Sequence, residues 1–340
     1  MHDTAAAPNV LAVRFSSIGD VLLTTPLFRA IRHRYPAARI TVLTKQAYAP
    51  LLSHNPHIGR VIGVESDRSL TSLGAELRAG LYTHRLDLHD SVRSRMLRLL
   101  VPGRWGTYPK HRLARALLIY AKRNRYRDRR PVAERYFSAA GDLDVQPDGA
   151  PPEFVLAAAA EREAGAWLAK ASVGQERRMI AVAPGAAHAT KRWPVEHWRT
   201  LIRRLVGQGF DLSIVGGADD APLGAELSQL SEGRVVSAAG AFGLQGTGAL
   251  LRRSAALVSG DTGVMHMATA VGTPVVALFG PTVEAFGFFP YTSRASVLEL
   301  ALSCRPCSSK GGPRCPLGHH RCMIDIDPES VYGRVRRFLT

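Results

Sequence analysis

The sequence predicts an α/β protein whose strands form parallel sheets in two similar halves. Short apolar segments of strand length alternate with segments of helical periodicity, the order expected of parallel strands joined by crossover helices. The same alternation begins again after Pro147–Pro152, a segment rich in proline with Asp148 and Gly149. The length of 340 residues also suits two domains of ordinary size.

The first half begins with a buried strand. Val10–Phe15 (VLAVRF) is a short apolar run followed by serines and a glycine, as expected of a strand covered on both faces. The spacing of apolar residues over Asp20–Tyr35 predicts a helix, with Pro26 in an early turn or at a kink. Further strands are predicted at Arg39–Leu43 and Arg60–Val64.

The second half repeats the pattern with more elements. Helices are predicted at Ala157–Ala171, Trp193–Gly207, Ala221–Leu230, Leu244–Ser254, Val264–Val271 and Pro328–Leu339. Strands are predicted between them at Met179–Ala183, Asp211–Val215, Val235–Ser237, Ala256–Ser259 and Pro274–Phe279. Two Rossmann-like domains with a cleft between them are the simplest arrangement. The predicted boundaries are 1–152 for the first domain, 153–325 for the second and 326–340 for a closing C-terminal helix.

Basic residues are concentrated in one segment. The chain carries a net charge of +16, and Arg85–Arg135 contains 15 Lys and Arg against 4 Asp and Glu, a net +11. An excess of this size indicates an anionic partner or an anionic surface. A set of solvated helix faces is the alternative interpretation.

Neither a secretory segment nor a membrane span is predicted. The first apolar stretch is short and contains Arg14, and no window reaches about 18 uninterrupted apolar residues. With 46% hydrophobic and 21% charged residues, the chain is also unlike a disordered tail. We therefore expect a cytoplasmic protein.

The end of the first strand carries a candidate catalytic carboxylate. Ligands of open parallel sheets bind beyond the carboxyl ends of the strands. Here Ser16–Asp20 leads from strand to helix and places Asp20 in the first helical turn. This side chain can cap the helix, or it can act as a general base towards a substrate hydroxyl.

The loop after the first strand of the second half offers groups for a diphosphate. Pro184–Pro194 combines small residues, which allow backbone N–H groups to approach a ligand, with Thr190 and Lys191. After the next strand, Asp219 or Asp220 could bind ribose hydroxyls or cap the following helix.

A further strand runs into a helix through Asp261-Thr262-Gly263, where a hydroxyl and N–H groups form an anion site. Gly280–Thr282 ends the neighbouring strand and faces the same region. No GxGxxG follows the first strand, and no HExxH or DxD-type pattern stands at a strand end. Lysine and helix dipoles in place of a metal ion are the chemistry that these loops favour.

Together these residues resemble glycosyltransferase family 9, the ADP-heptose:lipopolysaccharide heptosyltransferases. The matching segments are Arg14–Pro26 (RFSSIGDVLLTTP), Pro184–Trp198 (PGAAHATKRWPVEHW), Gly216–Gly217 with the acids that follow, Ser259–His266 (SGDTGVMH) and Phe279–Thr282 (FGPT). The resemblance implies a GT-B architecture, in which two Rossmann-like domains have parallel sheets facing a central cleft. The N-terminal domain would bind the acceptor and the C-terminal domain the nucleotide sugar.

The resemblance also implies a reaction and roles for individual residues. Heptose would pass from ADP-heptose to the lipopolysaccharide inner core, with inversion and without a cofactor or metal ion. Asp20 would be the base, and Lys191 would assist the leaving group. The donor-side residues would be Thr190, Lys191, Asp219, Asp220, Asp261, Thr262, Gly263, His266 and Thr282. The acceptor-side candidates are Ser17, Gly19, Arg93, Arg95 and Arg130.

The expected partners follow from this resemblance and from the charge. They are a nucleotide sugar, an anionic lipopolysaccharide-core acceptor and the inner face of the cytoplasmic membrane, which the protein would bind peripherally. No nucleic acid is expected, since the sequence has no helix-turn-helix spacing, zinc finger or RNA-binding aromatic signature. The alternatives are a family member with another donor or acceptor, and a basic nucleic-acid-binding α/β protein.

Four cysteines form a separate cluster, Cys304, Cys307, Cys315 and Cys322, spaced C-x2-C-x7-C-x6-C. Such grouping suits a structural zinc ion or an iron–sulfur cluster. Reduced or redox-labile loop cysteines and, in a cytoplasmic chain less expected, disulfides are the other interpretations. No role in catalysis is expected for them.

Overall fold

The computed structural model describes residues 7–339, which form two compact units. The first contains residues 7–110 and 130–155, and the second contains residues 111–129 and 156–339. Each unit has its own parallel sheet, which confirms the predicted fold class. Residues 111–129, which lie inside the predicted first domain, belong by their contacts to the second unit. Residues 1–6, which precede the first apolar stretch, lie outside the described residues.

The first unit contains a five-stranded sheet in the order β3-β2-β1-β4-β5. All of its neighbouring strands are parallel. The central strand β1 is buried along its whole length, as its apolar sequence predicts. The strands are β1 (Asn9–Val13), β2 (Arg39–Lys45), β3 (Arg60–Val64), β4 (His84–Asp87) and β5 (Trp105–Thr107).

The helix predicted over Asp20–Tyr35 is two helices. The first ends at Leu22, and Pro26 lies in the first turn of the second, where the missing N–H of proline costs no hydrogen bond. The helices as far as residue 135 are α1 (Ile18–Leu22), α2 (Thr25–Arg34), α3 (Leu70–Ala79), α4 (Val92–Leu100), α5 (Arg112–Ala121, in the second unit) and α6 (Val132–Arg135).

The second unit contains a six-stranded parallel sheet in the order β11-β10-β9-β6-β7-β8. Its strands are β6 (Met179–Ala183), β7 (Asp211–Ile214), β8 (Val235–Ser237), β9 (Ala256–Gly260), β10 (Val275–Phe279) and β11 (Ala295–Glu299). Its remaining helices are α7 (Ala158–Lys170), α8 (Val195–Gly207), α9 (Ala221–Ser228), α10 (Leu244–Arg252), α11 (Gly263–Ala270), α12 (Arg321–Ile324) and α13 (Pro328–Arg336).

The C-terminal helix α13 is part of the second unit's core. Val331 and Val335 are fully buried in the same apolar cluster as Trp198 of α8 and Ile180 of β6. Among the described residues, no helix combines the length and the apolarity needed to cross a bilayer.

Candidate active site

In the first unit, Asp20 lies at the start of α1, directly after β1. Ser17 precedes the helix, and its backbone N–H and hydroxyl donate to Asp20 Oδ2 at 3.3 and 2.9 Å. The other carboxylate oxygen, Oδ1, lies 2.5 Å from Arg14 Nη2. The Asp20 side chain is 18% exposed, so it is shielded but reachable. The buried ion pair and the helix N-terminus both favour the ionised carboxylate.

Arg14 is held from several sides at the end of β1. It donates to the backbone carbonyls of Leu88 at 2.6 Å and Ser16 at 2.8 Å, and to the Tyr108 hydroxyl at 3.3 Å. Burial alone would lower the pKa of the guanidinium, but Asp20 and the phenols of Tyr136 and Tyr108 raise that pKa above its ordinary value. Arg14 is therefore a fixed positive charge that orients Asp20.

Tyr136 completes this group from a distant part of the chain. Its hydroxyl donates to Asp20 Oδ1 at 3.5 Å, and its ring contacts Tyr108 edge-on at 4.7 Å. Burial raises the pKa of the phenol well above its usual value, so Tyr136 stays protonated and can donate to the carboxylate. The sequence analysis missed Tyr136, because 116 residues separate it from Asp20 and no local pattern marks it.

His89, which follows β4, was also missed. Its ring contacts Phe15 edge-on at 5.6 Å, and its Nδ1 atom is buried with no hydrogen-bond partner among the described residues. Burial, followed by the charges of Arg14 and Lys110, lowers the pKa of His89 to about 4. The imidazole is therefore neutral at pH 7. A histidine directly after a strand of a parallel sheet was the signal available in the sequence.

The predicted acceptor-side residues have different surroundings. Ser17 and Gly19 lie in the cap and first turn that hold Asp20. The Arg93 guanidinium lies over the Phe15 ring at 5.3 Å. Arg95 is 54% exposed and forms an ion pair with Asp90 at 2.7 Å. Arg130 is exposed, and its carbonyl accepts a hydrogen bond from Arg135.

In the second unit, three loops at the carboxyl ends of neighbouring strands meet at one carboxylate. Lys191 Nζ lies 2.6 Å from Asp261 Oδ2 and 3.0 Å from the Asp261 carbonyl. Thr282 donates its hydroxyl to the same Oδ2 atom at 2.7 Å. Lys191, Asp261 and Thr282, predicted separately as donor-side residues, are therefore one cluster. Asp261 fixes the lysine ammonium beside the start of α11.

The start of α11 presents N–H groups next to this cluster. Thr262 is the N-cap residue, and α11 begins at Gly263. The Thr262 hydroxyl lies 3.0 Å from the Ser259 hydroxyl. The first N–H groups of a helix have no partner within the helix, so they are available to an anion. His266, one turn further on, is buried.

The two acids after β7 differ in their surroundings. The Asp220 carboxylate accepts the Gly217 N–H at 2.9 Å and caps the short 3-10 helix Ala218–Asp220. It also lies against Gly185, where a Cβ atom would approach Asp220 Oδ1 to 1.9 Å. Asp219 is exposed and has no hydrogen-bond or ion-pair partner among the described residues. Asp219 is thus the acid whose carboxylate is open to a ligand.

Thr190 joins the predicted donor loop to the cysteine-containing segment Cys304–Cys322. The Gly312 N–H donates to the Thr190 hydroxyl at 2.8 Å, and the Thr190 N–H donates to the Gly312 carbonyl at 3.2 Å. The Thr190 side chain is buried. The Thr190 hydroxyl therefore stabilises the loop and does not face open solvent.

Lys310, which the sequence analysis did not single out, lies near the same loop. Burial and the charges of Lys191 and Lys310 lower the pKa of His188, so both ammonium groups lie within electrostatic range of this histidine. A lysine followed by two glycines, in the SKGG sequence of residues 309–312, was the available signal.

The four cysteines are free thiols. Burial, with the neighbouring thiols, raises the pKa of Cys307 and raises that of Cys322 to about 11. Among residues 7–339, no group of three or more His, Cys, Asp or Glu side chains is arranged to hold a metal ion. The structure therefore does not confirm the zinc or iron–sulfur site that their spacing suggested, and that site stays a prediction.

Comparison with known proteins identifies the family. Residues 70–316 match the family model for glycosyltransferase family 9 (heptosyltransferase). The chain is 28% identical to lipooligosaccharide heptosyltransferase 2 of Haemophilus influenzae over 97% of this chain and 99% of that one. It is also 28% identical to lipopolysaccharide heptosyltransferase 2 of Escherichia coli K12, over 97% and 98%.

Solved structures agree with this match. The ADP-heptose lipopolysaccharide heptosyltransferase II of E. coli has 27% identity and a TM-score of 0.75, covering 97% of this chain and 98% of that one. A glycosyl transferase family 9 protein from Veillonella parvula has the same fold, with a TM-score of 0.81 over 98% and 97% of the two chains at 23% identity. The chain described here is a glycosyltransferase that belongs to glycosyltransferase family 9, the heptosyltransferases.

Proposed function

We propose that this glycosyltransferase transfers a heptose from ADP-heptose to the inner core of lipopolysaccharide. The observation that carries the proposal is the Asp20 carboxylate, held by a buried arginine at the carboxyl end of the central strand. The two relatives compared above match over nearly their whole length and are heptosyltransferases 2, and the name of one solved structure includes ADP-heptose. These relatives support the choice of donor and acceptor.

Asp20 is the proposed general base. Its carboxylate accepts the proton of an acceptor hydroxyl as the hydroxyl oxygen attacks the anomeric carbon of the donor. The bond from that carbon to the diphosphate oxygen breaks on the opposite face, so the configuration inverts in a single displacement. Arg14 and Ser17 keep the carboxylate in one orientation, and such positioning lowers the entropic part of the barrier.

Lys191 and the start of α11 are proposed to receive the leaving diphosphate. Negative charge grows on the nucleoside diphosphate as the bond breaks, and a fixed ammonium with backbone N–H donors stabilises that charge. Asp261 and Thr282 hold Lys191 in place. Lys310 would add a second cation, and Asp219 would bind the ribose hydroxyls. We propose that these groups serve the reaction without a metal ion.

The first unit is proposed to bind the acceptor, and the second unit the nucleotide sugar. Arg93, Arg95 and Arg130 are the proposed contacts to the anionic sugars and phosphates of the acceptor. A cytoplasmic protein attached peripherally to the inner membrane would meet this acceptor where its lipid is embedded. The basic segment Arg85–Arg135 supports that placement.

Thermal-shift screening against ADP-, GDP-, UDP- and CDP-sugars tests the donor. We expect stabilisation by ADP-heptose, because a ligand that binds the folded state raises the melting temperature. The shift should disappear in Lys191→Ala, and transfer to a lipopolysaccharide-core acceptor should slow. Stabilisation by a UDP-sugar alone would contradict the proposed donor, and an unchanged ADP-heptose shift in Lys191→Ala would contradict the role of the lysine.

A further inference from the structure

Most of the large apolar side chains that the described residues expose lie in one stretch of the chain. Six of the eight fall between residues 81 and 120: Leu81, Val92, Met96, Leu99, Leu113 and Tyr120. This stretch overlaps Arg85–Arg135, which carries a net +11. Single exposed apolar residues are ordinary, but apolar stripes on helices flanked by cations are typical of helices that lie in a membrane interface.

In the first unit, α4 exposes a stripe along one side. Val92 is 76%, Met96 48% and Leu99 85% exposed, and residues spaced by four and three lie on one face of a helix. The opposite side, with Ser94 and Leu97, is buried. Helix α4 is thus apolar on its outward face as well as on part of its inward face.

Cations flank the α4 stripe. The half-exposed guanidinium of Arg95, paired with Asp90, lies one residue before Met96, and Arg104, 85% exposed and 3.3 Å from Asp142, follows the helix. Trp105, half-buried at the start of β5, lines an open groove of about 660 Å³ together with the stripe. Tryptophan at the border of such a surface suits the headgroup region of a bilayer.

In the second unit, α5 has the same character. Leu113 is 75% and Tyr120 86% exposed, two helical turns apart on one face. On the other face, Leu118 and Ile119 pack with Phe286 in a small apolar cluster. The outward residues are therefore not needed for the attachment of α5 to its own unit.

A run of exposed basic residues follows α5. Arg123, Arg125, Arg127 and Arg129 are exposed, and within residues 7–339 none of the four forms an ion pair with an acidic side chain. Lys122, at the end of the helix, donates instead to the carbonyls of Cys304 and Pro306 at 2.8 and 2.7 Å. The four arginines therefore remain available to an anionic surface.

We propose that α4 and α5 each dock on an anionic phospholipid bilayer. The apolar stripes enter the boundary between headgroups and acyl chains, and the neighbouring arginines contact the lipid phosphates. Nucleic acid could bind the arginines, but it provides no apolar environment for the leucine, valine and methionine side chains. A second copy of the chain would bring an equal positive charge to the same surface. The inference rests on the proposed peripheral membrane association and names the two helix faces responsible.

Vesicle flotation with the full chain tests the proposal. We expect binding to phosphatidylcholine vesicles that contain phosphatidylglycerol, weaker binding without the anionic lipid, and weaker binding at high salt. One variant set removes the α4 stripe and combines Val92→Ser, Met96→Ser and Leu99→Ser. A second set removes the α5 stripe and combines Leu113→Ser with Tyr120→Ser. A third, Arg123→Glu with Arg125→Glu, reverses charge. Each set should lower the partition into anionic vesicles at least about tenfold.

Matched controls change the same residue types elsewhere. Leu317→Ser removes an exposed leucine of the cysteine-containing segment, and Arg162→Glu with Arg177→Glu reverses two exposed arginines of the second unit. Both controls should float with the vesicles as the unchanged chain does. Circular dichroism and melting temperatures confirm that each variant is folded.

Transfer to a water-soluble, delipidated acceptor separates this inference from the proposed function. The stripe variants should keep that activity while losing vesicle binding. If the unchanged chain binds the vesicles as expected but transfers no heptose, the proposed function is wrong and the docking surface stands. Stripe variants that bind anionic vesicles as well as the unchanged chain would overturn the docking surface. So would light scattering that shows a dimer dissociated by the same substitutions.

Discussion

At the scale of single residues, the ion pair between Arg14 and Asp20 decides what the candidate base can do. A buried guanidinium 2.5 Å from the carboxylate keeps it charged and oriented, but it also makes the carboxylate a weak base. The phenol of Tyr136 donates to the same oxygen. Oδ2, the oxygen that Ser17 contacts, can take up the acceptor proton while Oδ1 stays within hydrogen-bond distance of Arg14.

Replacing Asp20 should remove turnover and spare donor binding. We expect Asp20→Asn to lower kcat at least about a hundredfold, the usual size of a general-base effect. Asparagine keeps the size of the side chain and its hydrogen bonds with Ser17, whereas Asp20→Ala would remove both. Either variant leaves Arg14 without its carboxylate. Calorimetry with ADP should give the Kd of the unchanged protein. Near-normal turnover in a folded Asp20→Asn protein would rule out the base.

The neutral His89 predicts how stability depends on pH. Its pKa is about 4 when folded and about 6.5 when unfolded. The unfolded chain therefore takes up a proton first as the pH falls, so this residue's contribution to stability is present above pH 6.5 and is lost between about pH 6.5 and 4.

We expect His89→Gln to remove part of that loss, about 1–2 kcal/mol after allowance for the partial exposure of the ring. Urea unfolding of both proteins at pH 7.5 and pH 4.5 measures it. The free energy of unfolding of the variant, minus that of the unchanged protein, should be larger at pH 4.5 than at pH 7.5. Parallel pH profiles would show that His89 is not the group responsible.

At the scale of elements, the segment Cys304–Cys322 contacts the loop that contains Thr190, the proposed donor loop. Gly312 forms hydrogen bonds in both directions with Thr190. Gly311 has φ +95°, and a Cβ atom there would lie 2.9 Å from His188 Cβ. The position therefore requires glycine for its backbone conformation and for the close approach.

Gly311→Ala should weaken donor binding, whereas Gly318→Ala should not. Both glycines have positive φ, but a Cβ atom at Gly318 meets nothing within 4 Å. Each substitution should cost about 1–2 kcal/mol of stability from the backbone alone. Only Gly311→Ala also displaces the Thr190 loop, so we expect its ADP Kd to rise at least about fivefold by calorimetry. Equal donor affinities in the two variants would show that the segment Cys304–Cys322 does not influence donor binding.

Local patterns predicted the uniformly buried strands closely. The apolar strands β1, β6, β9 and β10 are fully buried and lie within one or two residues of their predicted bounds. Pro26 lies in an early helical turn as predicted, but the prediction had one helix where the structure has α1 and α2. No elements were predicted in residues 65–146, where α4 and α5 carry apolar residues on their exposed faces as well as on their buried faces.

The candidate site was predictable only as far as it lies in loops after strands. Asp20, Lys191 and Asp261 are adjacent to such strand ends in sequence. Tyr136, which contacts Asp20, and Gly312, which contacts Thr190, are brought by tertiary packing from more than 100 residues away. No local spacing of residues in the sequence indicates such a contact.

At the scale of the whole molecule, the charge excess is divided between the two units. Its first part, Arg85–Lys110, and residues 130–135 lie in the first unit, whereas residues 111–129 lie in the second. A single anionic ligand is therefore not required to neutralise the whole segment. The acceptor and the bilayer can each account for a part of it, and they can be tested separately with an acceptor that carries no lipid.

Charge reversal at the proposed acceptor contacts should raise the acceptor KM and leave the donor alone. Arg93→Glu with Arg130→Glu changes the charge of the first unit by −4, and Arg162→Glu with Arg177→Glu makes the same change in the second. Since hydrogen bonds to charged groups contribute about 1.5–3 kcal/mol each, the first pair should raise the KM for a delipidated, phosphorylated core at least about tenfold. The second pair changes only the long-range field and should have less than about a twofold effect at physiological salt. The ADP Kd should be the same in all three proteins.

If both pairs raise the acceptor KM equally, the arginines steer the acceptor through net charge and do not contact it. If neither does, the basic residues of the first unit form a solvated face.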